Sequence, residues 1–343
     1  MIKVYKKTKV YVYCPAGVVS GGAELLHQLV HYLRNNNIDA YIVYYGSKEH
    51  KLPDDYKVYN VAITEDIEDL HENIEVFIEN EFDWVKRYKY TQKFLWWISV
   101  DNFYLYSLRY LPIHDIASYS LKLACETFIR KIGYLIIKHK NMFKNTVSIN
   151  SLSRMDLMSG YQSEYAQNFL QKNGFKEIVA LKDYINTDYI KNFSIENKED
   201  IILYNPKKMG KFINTIIKRT PNLNWIPIKN LSRSQVVELI RKAKIYVDFG
   251  YHPGKDRLPR ECAASGCCVI TGSRGSAAFF EDVPIPNKYK FDENKASIND
   301  VITRIKDTLD NYYTCIDDFK YYRYCIMQEK EEFEKQIKNI FLI

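Results

Sequence analysis

The sequence predicts an α/β protein with two parallel sheets in tandem, and three observations carry that expectation. Residues 9–46 read as strand, glycine-rich turn, helix and strand, the order of a βαβ unit. The apolar runs that follow are short and separated by polar connections, as buried strands of such a sheet are. After a polar stretch at Asn186–Asn197 the same alternation restarts at Ile201.

Length and composition agree with this. At about 150 residues per domain, 343 residues suit two domains, and 46% hydrophobic with 27% charged residues excludes wholesale disorder. No run reaches the ~18–20 apolar residues of a membrane span. The stretch Met1–Pro15 is basic and then strand-like, without the apolar core of a signal peptide, so a cytoplasmic address is expected. The seven cysteines form no CxxC and no Cys/His ladder, which argues against structural zinc or a disulfide framework. A net charge of +7 is too mild over this length to imply nucleic acid, and the 29 Tyr and 17 Phe accompany no RNP-like motif.

Lys9–Tyr13 is the first strand. Leu25, Leu26, Leu29, Val30 and Leu33 then recur at helical spacing until Asn35–Asn37, and Ala40–Tyr45 is the second strand. Val58–Ile63, Glu75–Ile78 and Phe94–Val100 extend the sheet. Ile116–Lys138 is expected as one long helix with Leu121, Ala124, Cys125, Phe128, Ile132 and Leu135 on one stripe. Thr146–Asn150 and Leu157–Gln162 read as short strands. Ser163 is placed to cap a helix over Glu164–Lys172 that Gly174 stops, and Ile178–Leu181 follows.

In the second half, Ile201–Tyr204, Trp225–Ile228, Ile245–Phe249 and Cys267–Thr271 are expected strands. Helices are expected at Phe212–Lys218, at Ser234–Ala243 with Ser232 or Ser234 as its cap, and at Pro259–Ser265, ended by Gly266. The last stretch, Ile302–Ile343, is charged and helical in pattern.

In open α/β sheets ligands bind where strands end and helix N-termini begin. Four loops qualify. Gly17–Glu24 carries Gly21 and Gly22, which either let backbone amides approach an anion or simply form a tight turn. It is neither GxGxxG nor a P-loop, so hydride transfer and nucleoside-triphosphate hydrolysis lose support. Asn205–Lys211 holds three lysines, including Lys208 and Lys211, suited to a diphosphate or to a solvated turn. Asp248–Gly266 concentrates His252, Gly254, Lys255, Asp256, Arg257, Arg260 and Glu261 between a buried strand and a small-residue helix. Such a cluster costs desolvation unless it is paired, as Asp256 with Arg260 would be, or liganded. Gly275 and Ser276 sit in a Gly/Ser turn able to point amides at an anion.

The order of these loops resembles the GT-B glycosyltransferases, particularly the retaining group 1 superfamily, over most of the chain. The N-terminal marker is Gly21-Gly22-Ala23-Glu24. Leu231–Phe249 is similar to the helix and strand before that family's donor site, and Leu258–Thr271 (LPRECAASGCCVIT) to its "lEAmAcGxPVIa" stretch. The resemblance implies two Rossmann-like α/β domains facing a cleft: an acceptor domain over residues 1–188, a nucleotide-sugar domain over 189–310, and a helical segment 311–343 packing back on the first. It implies a UDP- or GDP-sugar donor, a glycan or lipid-linked glycan acceptor of bacterial surface polysaccharide synthesis, and no metal requirement. Glu261 falls on the second Glu of the E-x7-E motif, whose carboxylate accepts from ribose hydroxyls. Lys208 and Lys211 match the diphosphate contacts, Gly22 the backbone approach, and Ile228 the base-packing position. Pro253 stands where the first Glu belongs, so His252, Lys255, Asp256 or Arg257 is expected to supply that polar contact, with Arg257 stabilising leaving-group charge.

In the first domain Asp101 is expected at a strand end, as general base, acceptor anchor, or capping or turn residue. His27 and His31 share a helix face without a carboxylate partner and read as packing residues rather than metal ligands. Lys122, Arg130, Lys131, Lys138 and Lys140 mark a basic helix that suits either solvent or an anionic membrane. Two alternatives share the fold: a non-catalytic glycan-binding subunit, and a sugar-nucleotide epimerase or phosphorylase.

Overall fold

The computed structural model describes residues 2–46, 50–144, 146–191 and 193–341. They fall into two units: Met1–Gln162 with Ala166–Lys182 and Glu334–Ile343, and Ser163–Tyr165 with Asp183–Phe333.

Through the first sheet the chain runs β1 (Lys9–Pro15), α1 (Gly21–Asn35), β2 (Asp39–Tyr45), β3 (Ala62–Ile63), β4 (Ile74–Ile78) and β5 (Gln92–Trp97). Then come α2 (Val100–Tyr106), α3 (Ile113–Tyr119), α4 (Leu121–Lys138), α5 (Ile149–Leu152), β6 (Met158–Tyr161), α6 (Glu164–Lys172) and β7 (Ile178–Ala180). The seven strands pair in parallel in the order β3-β2-β1-β4-β5-β6-β7. Val10, Val12, Ile74, Val76, Phe94 and Leu95 are buried on the inner strands, as the continuous apolar runs require. Strand order reverses between β1 and β4.

Four expectations for this unit need correction, and serine caps explain three. Ile116–Lys138 is two helices, because Ser120 is extended (φ −157°) and its side chain accepts from the Leu123 N–H to start α4. Thr146–Asn150 is not a strand; Ser148 caps α5 by accepting from the Ser151 N–H. The strand at Phe94 stops at Trp97, and Ser99 caps α2 by accepting from the Asn102 N–H. Asp101 therefore lies in the first turn of a helix, buried, and not at a strand end. An acidic side chain there complements the helix N-terminus, while Ser99 is the cap. Val58–Ile63 shrinks to β3, since a short 3-10 helix takes Asp54–Tyr59 and Asn60 turns left-handed at φ 42°.

The second sheet is built from β8 (Glu199–Tyr204), β9 (Asn224–Pro227), β10 (Ala243–Asp248), β11 (Cys268–Gly272) and β12 (Lys290–Phe291). Its helices are α7 (Thr187–Lys191), α8 (Lys211–Arg219), α9 (Arg233–Lys242), α10 (Arg257–Ala264), α11 (Ile298–Asp310), α12 (Tyr312–Cys315) and α13 (Lys320–Phe341). The strands are parallel in the order β12-β11-β10-β8-β9, reversing between β8 and β10. Ile202, Leu203, Ile245, Val247, Val269 and Ile270 form the buried sheet core. Ser232 starts α9 with a full capping box, its side chain accepting from Gln235 while Gln235 accepts from the Ser232 N–H.

Candidate functional site

Where strand order reverses, two loops leave adjacent strands in opposite directions and open a crevice at the carboxyl edge. In the second sheet these loops follow β8 and β10. The first carries Lys207, Lys208 and Lys211, the second Gly250–Asp256.

The two loops are locked together by charge. Lys208 pairs with Asp256 and lies 3.8 Å from Asp248 Oδ2. His252, fully buried, has Nδ1 2.8 Å from Asp256 Oδ2 and Nε2 3.7 Å from Asp248 Oδ1. Asp248 accepts from the Tyr246 hydroxyl at 2.8 Å and from the Gly250 N–H at 2.9 Å. Burial alone would lower the His252 pKa, but Asp248 and Asp256 outweigh it and raise it. Burial would likewise raise the Asp256 pKa, but Lys208 and His252 hold it below the usual carboxylate range. Asp248, His252 and Asp256 offer ligand atoms within 4.8 Å of one another. Lys208 already brings positive charge to the same carboxylates, so a metal ion would compete with it there.

Backbone approach sets this geometry. A Cβ on Gly250 would come within 2.4 Å of Lys208 Cβ. Gly275 has φ +58°, and a Cβ there would stand 2.0 Å from the His252 carbonyl oxygen. Ser276 donates its N–H to His252 O at 2.8 Å and its hydroxyl to Gly254 O at 2.6 Å. The turn at Gly275-Ser276 thus holds the His252 loop, and both donors of Ser276 go to it rather than to an anion.

Behind the loop lies a second buried network. Arg260, on α10, donates to Asp183 and Glu329 at 2.9 Å each, and to the carbonyls of Lys255 and Asp256 at 2.8 and 3.1 Å. Lys255 Nζ sits 2.8 Å from Glu329 Oε1, and Arg257 Nε 3.5 Å from Asp183 Oδ2. Burial opposes ionisation of Asp183, yet the arginines beside it hold its carboxyl low. Asp256 and Arg260 are not a side-chain pair as expected: each finds a different partner, and they meet only through the Asp256 carbonyl.

A concavity of about 550 Å³ opens beside these loops, lined by Pro206, Lys207, Ile228, Lys229, Asn230, Leu231 and Val236. Ile228 donates its N–H to Tyr204 O at 2.9 Å, which fixes it at the end of β9. Lys207 and Lys211 are exposed, Lys211 as the first residue of α8, whose N-cap Gly210 supplies no side-chain cap. Glu261 is buried in the middle of α10.

No family model and no curated protein matches the sequence. Solved structures do match the fold. A glycosyltransferase from Rickettsia africae shares 13% identity over 98% of this chain and 99% of its own, with a TM-score of 0.55. HepE from Anabaena, solved in complex with UDP-glucose, shares 9% identity over 96% and 98% of the two chains, with a TM-score of 0.60. WaaG, a glycosyltransferase involved in lipopolysaccharide biosynthesis, shares 11% over 95% and 98%, with a TM-score of 0.55. The chain has the GT-B fold.

In this GT-B chain the first sheet has its own reversal, between β1 and β4. Ser20 caps α1, accepting from Ala23 N–H at 3.2 Å, and the Tyr56 hydroxyl clamps the Ser20 N–H and C=O at 2.8 and 2.9 Å. Gly21 and Gly22 open α1, and a Cβ on Gly22 would meet Ile98 Cδ1 at 3.0 Å. Across from them, at the end of β4, stands Glu79, which sequence reasoning missed. It is fully buried, accepts from the Ile98 N–H at 2.9 Å through Oε2, and its Oε1 has no hydrogen-bond partner among the described residues. Burial pushes its carboxyl up to about 8. The only available signal was position: Glu79 directly follows the buried strand Glu75–Ile78. His27 is buried between Ala23 O and the Tyr44 hydroxyl, each 2.7 Å from a ring nitrogen, a packing arrangement.

Proposed function

We propose that the protein is a glycosyltransferase that moves a sugar from a UDP- or GDP-sugar to a glycan or lipid-linked glycan acceptor in bacterial surface polysaccharide synthesis, with retention at the anomeric carbon. The observation that carries this reading is the concavity around Ile228, which shares the Lys207–Lys208 loop with the charged crevice at the β8/β10 reversal. An apolar slot beside clustered cations suits a nucleobase followed by a diphosphate. The fold supports the reading, and HepE was solved with UDP-glucose.

In this reading the base packs on Ile228 and Pro206, and the ribose hydroxyls donate to Glu261. Lys211 and Lys207, both exposed, meet the diphosphate, while Lys208 acts through Asp256 to hold the His252 loop. Gly254 and Lys255 belong to that loop and shape the sugar end of the site. The bond from the anomeric carbon to the diphosphate oxygen breaks as the acceptor hydroxyl oxygen bonds to that carbon, and the hydroxyl proton passes to the departing diphosphate. Arg257, at the first position of α10, then opposes the charge gathering on the leaving diphosphate. The reading requires no metal, since lysines and a helix N-terminus carry the neutralising charge.

Calorimetric titration with UDP- and GDP-sugars tests it. Binding of at least one is expected, and Glu261→Ala should weaken it by about 1–3 kcal/mol, the range for lost hydrogen bonds to a charged group. Binding of none would remove the donor assignment; unchanged affinity in the variant would remove the ribose contact.

A further inference from the structure

The helix α4 is turned against the expectation for a solvated amphipathic helix. The face it buries carries Ala124, Thr127 and Lys131, the last 2% exposed with its ammonium donating to Leu111 O at 2.8 Å. Burial lowers the pKa of that lysine, and among the described residues no carboxylate compensates it. Meanwhile Leu121, Ile129 and Ile136 are 74%, 69% and 67% exposed, and Phe128 and Leu135 are also exposed. The apolar stripe read from the sequence is therefore mostly outside. At 100° per residue these five side chains fall within roughly 120° of arc, so they form one continuous apolar strip along the helix.

A strip of large apolar side chains in water is costly and marks a surface meant to be covered. Its surroundings say by what. Lys122, Arg130 and Lys138 lie along the same helix and Lys140 just beyond it, against one acidic residue of the helix, Glu126. At 18 residues α4 is too short and too charged to span, and no helix among the described residues is long and apolar enough to cross a membrane. We infer that α4 lies flat on an anionic membrane surface, its Leu121–Ile136 strip among the acyl chains and its lysines and arginine at the headgroups. The sequence had pointed to the basic residues alone; the exposed strip supplies the apolar half that stable binding needs. This inference does not depend on the proposed sugar transfer, because its test uses no donor.

The experiment is co-sedimentation of the full chain with vesicles of phosphatidylglycerol and phosphatidylcholine, and with phosphatidylcholine alone. Binding to the anionic vesicles is expected, weakened by added salt and weak on the neutral ones. The triple variant Leu121→Ser, Ile129→Ser, Ile136→Ser should lose binding by at least about tenfold while its circular dichroism and melting temperature stay those of the parent, because all three side chains are already in solvent. No binding to anionic vesicles would overturn the inference, as would equal binding by the variant. So would sedimentation equilibrium showing a parent dimer that the variant turns into a monomer, since a second copy would then be what covers the strip.

Discussion

Glu79 illustrates how one residue can be read through its surroundings. An ordinary glutamate carboxyl titrates at 4.5, but full burial raises this one to about 8, with backbone N–H groups such as that of Ile98 only partly compensating. Between those values the folded chain holds a proton that the unfolded chain has released. Stability therefore falls as pH rises through the window, by up to about 1.4 kcal/mol per pH unit from this group. Glu79→Gln keeps an acceptor for the Ile98 N–H and removes the titration. Urea midpoints measured from about pH 5 to about pH 8 should fall more steeply for the parent than for the variant, and parallel curves would show that Glu79 ionises normally. At the same scale, the lysines differ in their surroundings: Lys208 is the counter-charge of Asp256, while Lys207 and Lys211 are exposed.

At the scale of elements, the loops carry the burden. The His252 loop holds its shape because a left-handed glycine and a serine on a neighbouring turn close against its carbonyls. Gly275→Ala asks for a side chain at φ +58° and 2.0 Å from a carbonyl oxygen. Strain at such a position costs of order 1–3 kcal/mol before the clash is relieved. The variant should melt at lower temperature and, where nucleotide-sugar binding is measurable, bind more weakly; a parent-like melting curve would mean the turn relaxes freely. Helix starts were the least legible elements. Ser232 was legible as a candidate cap ahead of its helix, whereas Ser99, Ser120 and Ser148, which each cap a helix by accepting one backbone N–H, were not, because serine is common in loops. The strands were legible because buried parallel strands are short apolar runs whatever they pack against, and Gly174 and Gly266 marked helix ends through positive φ.

For the molecule as a whole, two parallel sheets with one reversal each make the GT-B fold at identities of 9–13% to the solved structures above. What stabilises the second unit most distinctively is Arg260, fully buried between Asp183 and Glu329, which come from the start of the unit and from α13. Arg260→Ala would leave Asp183 buried without its closest counter-charge and Glu329 with Lys255 alone. Removing one partner of a buried pair costs about 3–5 kcal/mol, so chemical denaturation should show a loss of that order. A loss below about 1 kcal/mol would mean that water enters and solvates the carboxylates.

The sequence by itself determined the alternation of strands and helices, the division into two sheets and the loops where charge gathers, because these follow from patterns a few residues long. Only the tertiary structure decided which charge meets which and which face of α4 is covered. Arg260 finds its carboxylates 77 and 69 residues away, and Lys208 finds Asp256 48 residues on. Burial of a side chain depends on what the distant chain brings to it, and no local periodicity encodes that.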